Sequence, residues 1–339
     1  MRLKKLFIYF LFICLLMGSA PFYLFYRFPN LPLNQHDHPV TFNLIKGSGM
    51  KTIVKQLQDQ GVLTGSQGIL LRAWFRIKNV EKLLKAGEYE LASNITPQIL
   101  LRKLVRGEMI YYTVTFSEGI RFAQAIELLD QHPAIKRTLQ NQSTTEVMAS
   151  LGEPNTSPEG LFFPDTYYFI RNTTDLELLK RARHTMQVRL AQAWEHRDGA
   201  IVLKTPYEGL ILASIIEKES ALKTEHPLIS GVFQRRLEKN IRLQADPTVI
   251  YGLGLEFNGN LTQNQLKQST PYNTYMNKGL PPTPIALPGL KAIEAAMHPD
   301  KSEALYFVAK GDGTHYFSVT LQEHNEAVQK YQKYQRSNS

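Results

Sequence analysis

Acidic residues are absent from the first thirty positions, and cysteine occurs only once in 339 residues, at Cys14. One cysteine rules out a disulfide framework, and 18 prolines and 21 glycines without a period rule out collagen-like and low-complexity classes. The chain also lacks H-E-x-x-H, zinc-type Cys/His spacing and a glycine-rich phosphate loop, so no metal and no cofactor is expected. His36-Asp37-His38 sits in a spacer and reads as solvated linker. A mean hydropathy of −0.25 leaves room for at most one or two membrane spans.

The apolar residues present are concentrated. Residues 6–26 read LFIYFLFICLLMGSAPFYLFY, without a charge, and a helix needs about 20 residues to cross a bilayer. A transmembrane helix is expected there. Gly18-Ser19-Ala20 resembles a cleavage site, but the apolar run continues to Tyr26, which favours an uncleaved anchor. Bulky Ile13 before Cys14 argues against a lipidated cysteine. Arg2, Lys4 and Lys5 place residues 1–5 in the cytoplasm and the remainder outside it, away from nucleic acid. With Arg27 they carry four of the nine net positive charges.

Residues 27–39 are rich in Pro and Asn and read as a linker. From Val40 the pattern is strand (Val40, Phe42, Leu44), helix (Met50, Ile53, Val54, Leu57), a second helix bearing Ile69, Leu70, Ala73 and Trp74, strand Gly87–Leu91, and a helix from Thr96-Pro97 to Gly107. A compact first domain at 40–108 follows. Residues 109–335 form a larger mixed domain: a strand at 110–116, helices at 122–129, 175–195, 205–220 and 226–238, a Pro/Gly/Asn/Tyr-rich stretch at 244–289, a short helix before His298, a hairpin around Gly311-Asp312-Gly313 and a terminal helix. The fold class is α+β.

In the helix that starts at Thr205-Pro206-Tyr207-Glu208, residues 209–216 are nearly all apolar, so it lies inside the protein. Glu217 stands on its wall above Ala213, Ser214 and Leu210, whereas Glu219 is about 200° away on the opposite side. A carboxyl in apolar surroundings resists ionisation and suits a general acid; equally, Glu217 can pair with an arginine or mark the end of the buried face. Ser214 and Lys218 lack the Ser-x-x-Lys spacing of a serine hydrolase.

The segments EGLFFPDTYYF (159–169), LASIIEKES (212–220), LQADPTVIYGLG (243–254), TPYNTY (270–275), GLPPTPI (279–285) and HNEAV (324–328) resemble, in order and spacing, the endolytic murein transglycosylases, or YceG-like family. The resemblance covers residues 40–330. It implies a LysM-like module at 40–108 and a YceG-like catalytic domain at 109–335, with Glu217 as the catalytic acid and then base. It also implies Gln244, Asp246, Tyr272, Asn273 and Tyr275 as substrate-binding residues, although Tyr272–Tyr275 also fit a loop of the core and Asp246-Pro247 a turn. Leu287 departs from the polar residue frequent in relatives.

The implied reaction needs one carboxyl. It protonates the leaving glycosidic oxygen, and the sugar's own C6 hydroxyl attacks C1, closing a 1,6-anhydro ring on N-acetylmuramate. The implied partners are peptidoglycan glycan strands and penicillin-binding-protein synthases. The implied location is the bacterial inner membrane, with the catalytic domain periplasmic. Two other readings are a non-catalytic glycan-binding scaffold and a hydrolase that uses water as nucleophile.

Overall fold

The computed structural model describes residues 22–33 and 38–333 and divides into two compact units. Most of the span expected at 6–26 lies outside the described residues; of these, 22–27 are helical, and no described helix is long and apolar enough to cross a membrane.

The first unit comprises the described residues up to Tyr112, joined by Tyr168–Asn172. Strand β1 (Val40–Leu44) pairs antiparallel with β2 (Gly87–Leu91), Phe42 opposite Tyr89. Both rings are fully buried, each worth on the order of 2–3 kcal/mol in transfer from water. Between the strands run α1 (Met50–Asp59), whose buried residues are the four expected, and α2 (Gly65–Lys78), opened by a Thr64/Gln67 capping box. Helix α2 turns Gly68, Leu71, Trp74 and Phe75 inward, leaving Ile69 and Ala73, both expected inside, in solvent. Seating the adjacent aromatics Trp74 and Phe75 hides more apolar surface than the expected face would. Helix α3 (Pro97–Arg106) begins at the Thr96 cap and stops at Gly107, whose φ of 76° suits glycine.

The core of this unit starts earlier than expected. Phe28 and Leu33, read as linker, are buried in it, and the Leu33 amide donates to the Ile95 carbonyl at 2.9 Å. The buried Glu88 carboxylate accepts from Arg171 Nε at 3.0 Å and from the Tyr112 hydroxyl at 2.6 Å, which offsets its desolvation.

Strands β3 (Tyr112–Thr115) and β4 (Thr166–Phe169) form a two-stranded sheet. The rest of the second unit is helical around α7: α4 (Phe122–Gln131), α5 (Thr144–Ser150), α6 (Asp175–Glu195), α7 (Pro206–Glu219), α8 (His226–Glu238), α9 (Asp246–Leu253), α10 (Gln263–Leu266) and α11 (Leu290–Met297). The hairpin of β5 (Tyr306–Ala309) and β6 (His315–Ser318), then α12 (Leu321–Val328), close it.

Residues Gly209–Ile216 of α7 are all buried, under α6, α8, α9 and α11. At Gly209 α11 packs close: an added Cβ would overlap Met297. Thr205 caps the helix as expected, but Glu208 reaches back to the Lys204 amide at 2.6 Å rather than to Thr205. Asp246-Pro247, which also fits a turn, opens α9 with proline at the first helical position.

Candidate active site

Two glutamates leave the last turn of α7 on opposite sides. Glu217 turns toward the start of α11, where its Oε2 accepts the Gly289 N–H at 2.9 Å. Glu118 lies against the same glycine, so that a side chain there would overlap its carboxylate, and it pairs with Lys223. Burial raises the proton affinity of Glu217, the Gly289 amide opposes this, and the Glu118 charge adds to it. Beside it, Leu287 is fully buried, and its backbone bonds Gly119 N and Ile120 O at 2.8 Å each. The departure at Leu287 is thus a packing residue.

Glu219 faces a different space, a cavity of about 390 Å³ shared with Gln244, Asp246, Tyr275, Arg236, His315 and others. Part of the residue is exposed, but its carboxyl group is enclosed; burial and then the Asp246 charge push its pKa up to about 8. That acid still holds its proton at neutral pH.

The cavity wall is cross-linked by hydrogen bonds around Arg236. Arg236, buried in α8, donates to the carbonyls of Leu243 and Leu305 at 2.8 and 2.7 Å and to Gln244 Oε1 at 3.2 Å. Gln244 has a φ of 55°, uncommon for a residue with a Cβ and a mark of imposed geometry. Its amide donates to the Thr274 carbonyl at 3.2 Å, tying the rim to the segment that carries Tyr275. The Tyr275 hydroxyl donates to Asp246 Oδ1, and burial and then that carboxylate hold it protonated.

Of the five expected binding residues, Gln244, Asp246 and Tyr275 gather around this cavity, while Tyr272 and Asn273 do not line it. Asn273 is fully buried and spent on the backbone: its amide donates to Leu266 O and Gln268 O, and its Oδ1 accepts the Tyr275 amide. It shapes the loop that carries Tyr275. Tyr272 packs on Tyr251, ring centres 4.8 Å apart, and bonds Thr283.

Helix periodicity directs attention to Glu217 and sets Glu219 aside for facing the other way. The three binding residues stand on the Glu219 side. The available signal was that side's company in the sequence resemblance, Gln244, Asp246 and Tyr275. Arg236 and His315 also line the cavity and carry no local sequence signal. Among the described residues no three His, Cys, Asp or Glu side chains gather as metal ligands would.

Comparison with known proteins agrees in extent with the fold. The model of the YceG-like family matches residues 42–330. An endolytic murein transglycosylase of Bacillus subtilis is 30% identical over 86% of this chain and 84% of its own. One from Streptococcus pneumoniae is 27% identical over 85% of this chain, which spans 58% of its length. The crystal structure of a yceG-like protein from Listeria monocytogenes superposes with a TM-score of 0.54 at 29% identity, covering 86% of this chain and 99% of that one.

Proposed function

The chain belongs to the YceG-like family, and from that premise we propose that it is a peptidoglycan lytic transglycosylase cutting within glycan strands, with Glu219 as its acid. The observation that carries the residue assignment is the enclosed Glu219 carboxyl, at a pKa of about 8, in the cavity that also holds Gln244, Asp246 and Tyr275. Glu217, the acid that the family resemblance implies, accepts the Gly289 N–H through Oε2 outside this cavity.

The protonated Glu219 donates to the oxygen linking N-acetylmuramate to N-acetylglucosamine. As that bond breaks, positive charge grows at C1, and the Asp246 carboxylate, held by Tyr275, stabilises it. The C6 hydroxyl of the muramyl residue attacks C1, and the proton it loses restores the acid. The internal nucleophile gains from its high effective molarity.

Digestion of purified glycan with mass analysis of the ends tests this. Glu219→Gln should abolish 1,6-anhydro ends, while Glu217→Gln, whose amide oxygen still accepts the Gly289 N–H, should retain most cleavage. The reverse pattern returns the acid to position 217. Asp246 beside Glu219 also favours a second reading, hydrolysis with Asp246 activating water; its product is heavier by one water.

Residues 6–26 support a membrane anchor with the enzyme outside the cytoplasm, near the synthases that make its substrate. The β1–α1–α2–β2 unit supports a LysM-like, glycan-contacting role. Extraction of the full chain from membranes by alkali, as a peripheral protein would be, argues against the anchor.

A further inference from the structure

We propose that His315 is a second proton-transfer residue of this cavity, the group that takes the C6-hydroxyl proton during ring closure; this rests on the transglycosylase reading above. His315 begins β6 and lines the same cavity as Glu219. Its Nδ1 lies 2.7 Å from Glu225 Oε2, and its backbone N–H donates to the other oxygen of that carboxylate at 2.9 Å. Glu225 is buried and also accepts from the Ser220 hydroxyl at 3.4 Å, so the residue after Glu219 ties the dyad to the end of α7.

The carboxylate can only accept, so Nδ1 carries a proton, and in the neutral ring the lone pair is then on Nε2. Among the described residues Nε2 makes no hydrogen bond, and it is the free edge of a ring whose other edge is clamped. Phe307 meets the ring edge-on, centroids 5.4 Å apart at 88°, and restricts its rotation. A carboxylate that fixes the tautomer and stabilises the imidazolium, leaving Nε2 as base, is the logic of hydrolase triads. The cavity's other histidine, His324, stacks on Tyr306, and among the described residues its buried Nδ1 has no hydrogen-bond partner.

The step balances as follows. Glu219 gives its proton to the glycosidic oxygen, which leaves with the electron pair of the C1–O bond. A lone pair of the C6 oxygen forms the new bond to C1, and the C6–OH proton passes to His315 Nε2. Water then carries that proton from the imidazolium to the Glu219 carboxylate.

The experiment measures kcat, KM, thermal unfolding and end-group mass for His315→Ala and Glu225→Gln on uncrosslinked glycan. In His315→Ala, kcat should fall by about 10²–10⁴-fold with KM nearly constant, and added imidazole should restore part of it. In Glu225→Gln the amide nitrogen can no longer take the Nδ1 proton, the oxygen holds the ring less firmly, and kcat should fall with unfolding unchanged. A folded His315→Ala that cleaves at the wild-type rate overturns the proposal, as does a loss that imidazole does not restore. If His315→Ala does not fold, a folded Glu225→Gln with wild-type kcat overturns it. Reducing ends from the wild type sink the transglycosylase reading instead, a distinct outcome.

Discussion

The Tyr275 hydroxyl donates to Asp246 Oδ1 across 2.5 Å, so the tip of the tyrosine serves the carboxylate beside Glu219 rather than waiting for a sugar. That hydrogen bond steadies the Asp246 carboxylate, whose charge raises the proton affinity of Glu219. In Tyr275→Phe that support is lost. A hydrogen bond to a charged group is worth about 1.5–3 kcal/mol, so kcat/KM should drop by up to about 10- to 100-fold, and the denaturant midpoint should fall as well.

The pH dependence of cleavage has a defined sign. Glu219 acts as the protonated acid, so activity should hold through neutral pH and fall as pH rises through about 8, where the group ionises. Burial comes first among the causes and Asp246 second. Asp246→Asn should therefore move the falling limb of the pH–rate profile to lower pH. A limb that stays in place would remove Asp246 from this role.

Stability should fall with rising pH as well, over a wider window. The folded pKa of Glu219, about 8, exceeds its ordinary value of 4.5. Between these the unfolded chain releases a proton that the folded chain keeps, so stability falls as pH rises across that window. At about 1.4 kcal/mol per tenfold change in proton affinity, the ceiling is about 3–5 kcal/mol. Glu219→Gln should thus be inactive yet more stable than the wild type at pH 8, with the advantage vanishing near pH 4, as followed by denaturant titration.

Gly231 in α8 is confined by backbone. A Cβ there would stand 2.6 Å from the Asp300 carbonyl and 2.8 Å from the Arg235 guanidinium, itself held by the carbonyls of Asp300 and Ala304 at 2.8 Å each. Overpacking of this kind costs about 1–3 kcal/mol. Gly231→Ala should lower the melting temperature by several degrees and leave kcat per folded molecule unchanged.

Helix ends with chemical punctuation were legible in the sequence. Asp175–Glu195 and His226–Glu238 fall where read, and Thr96-Pro97 and Gly107 bound α3. Helix α5 was missed although Ser143 and Glu146 form a capping box, because its seven residues give too little periodicity. Strand β4 was missed because its pairing with β3 joins residues about fifty apart. Enclosure of Glu219 is the same kind of fact: it is made by Gln244, Tyr275, Tyr306 and His324, far along the chain, whereas the apolar helix that drew attention to Glu217 is local.

The left-handed glutamine at position 244 means that the molecule keeps a strained rim at a cost on the order of 1 kcal/mol. Glycine would relax that backbone, but it would take away the amide oxygen that meets Arg236. Selection for heat resistance alone would thus drift toward a looser cavity mouth, so a hardier descendant of this enzyme would be expected to grip its polymer less firmly.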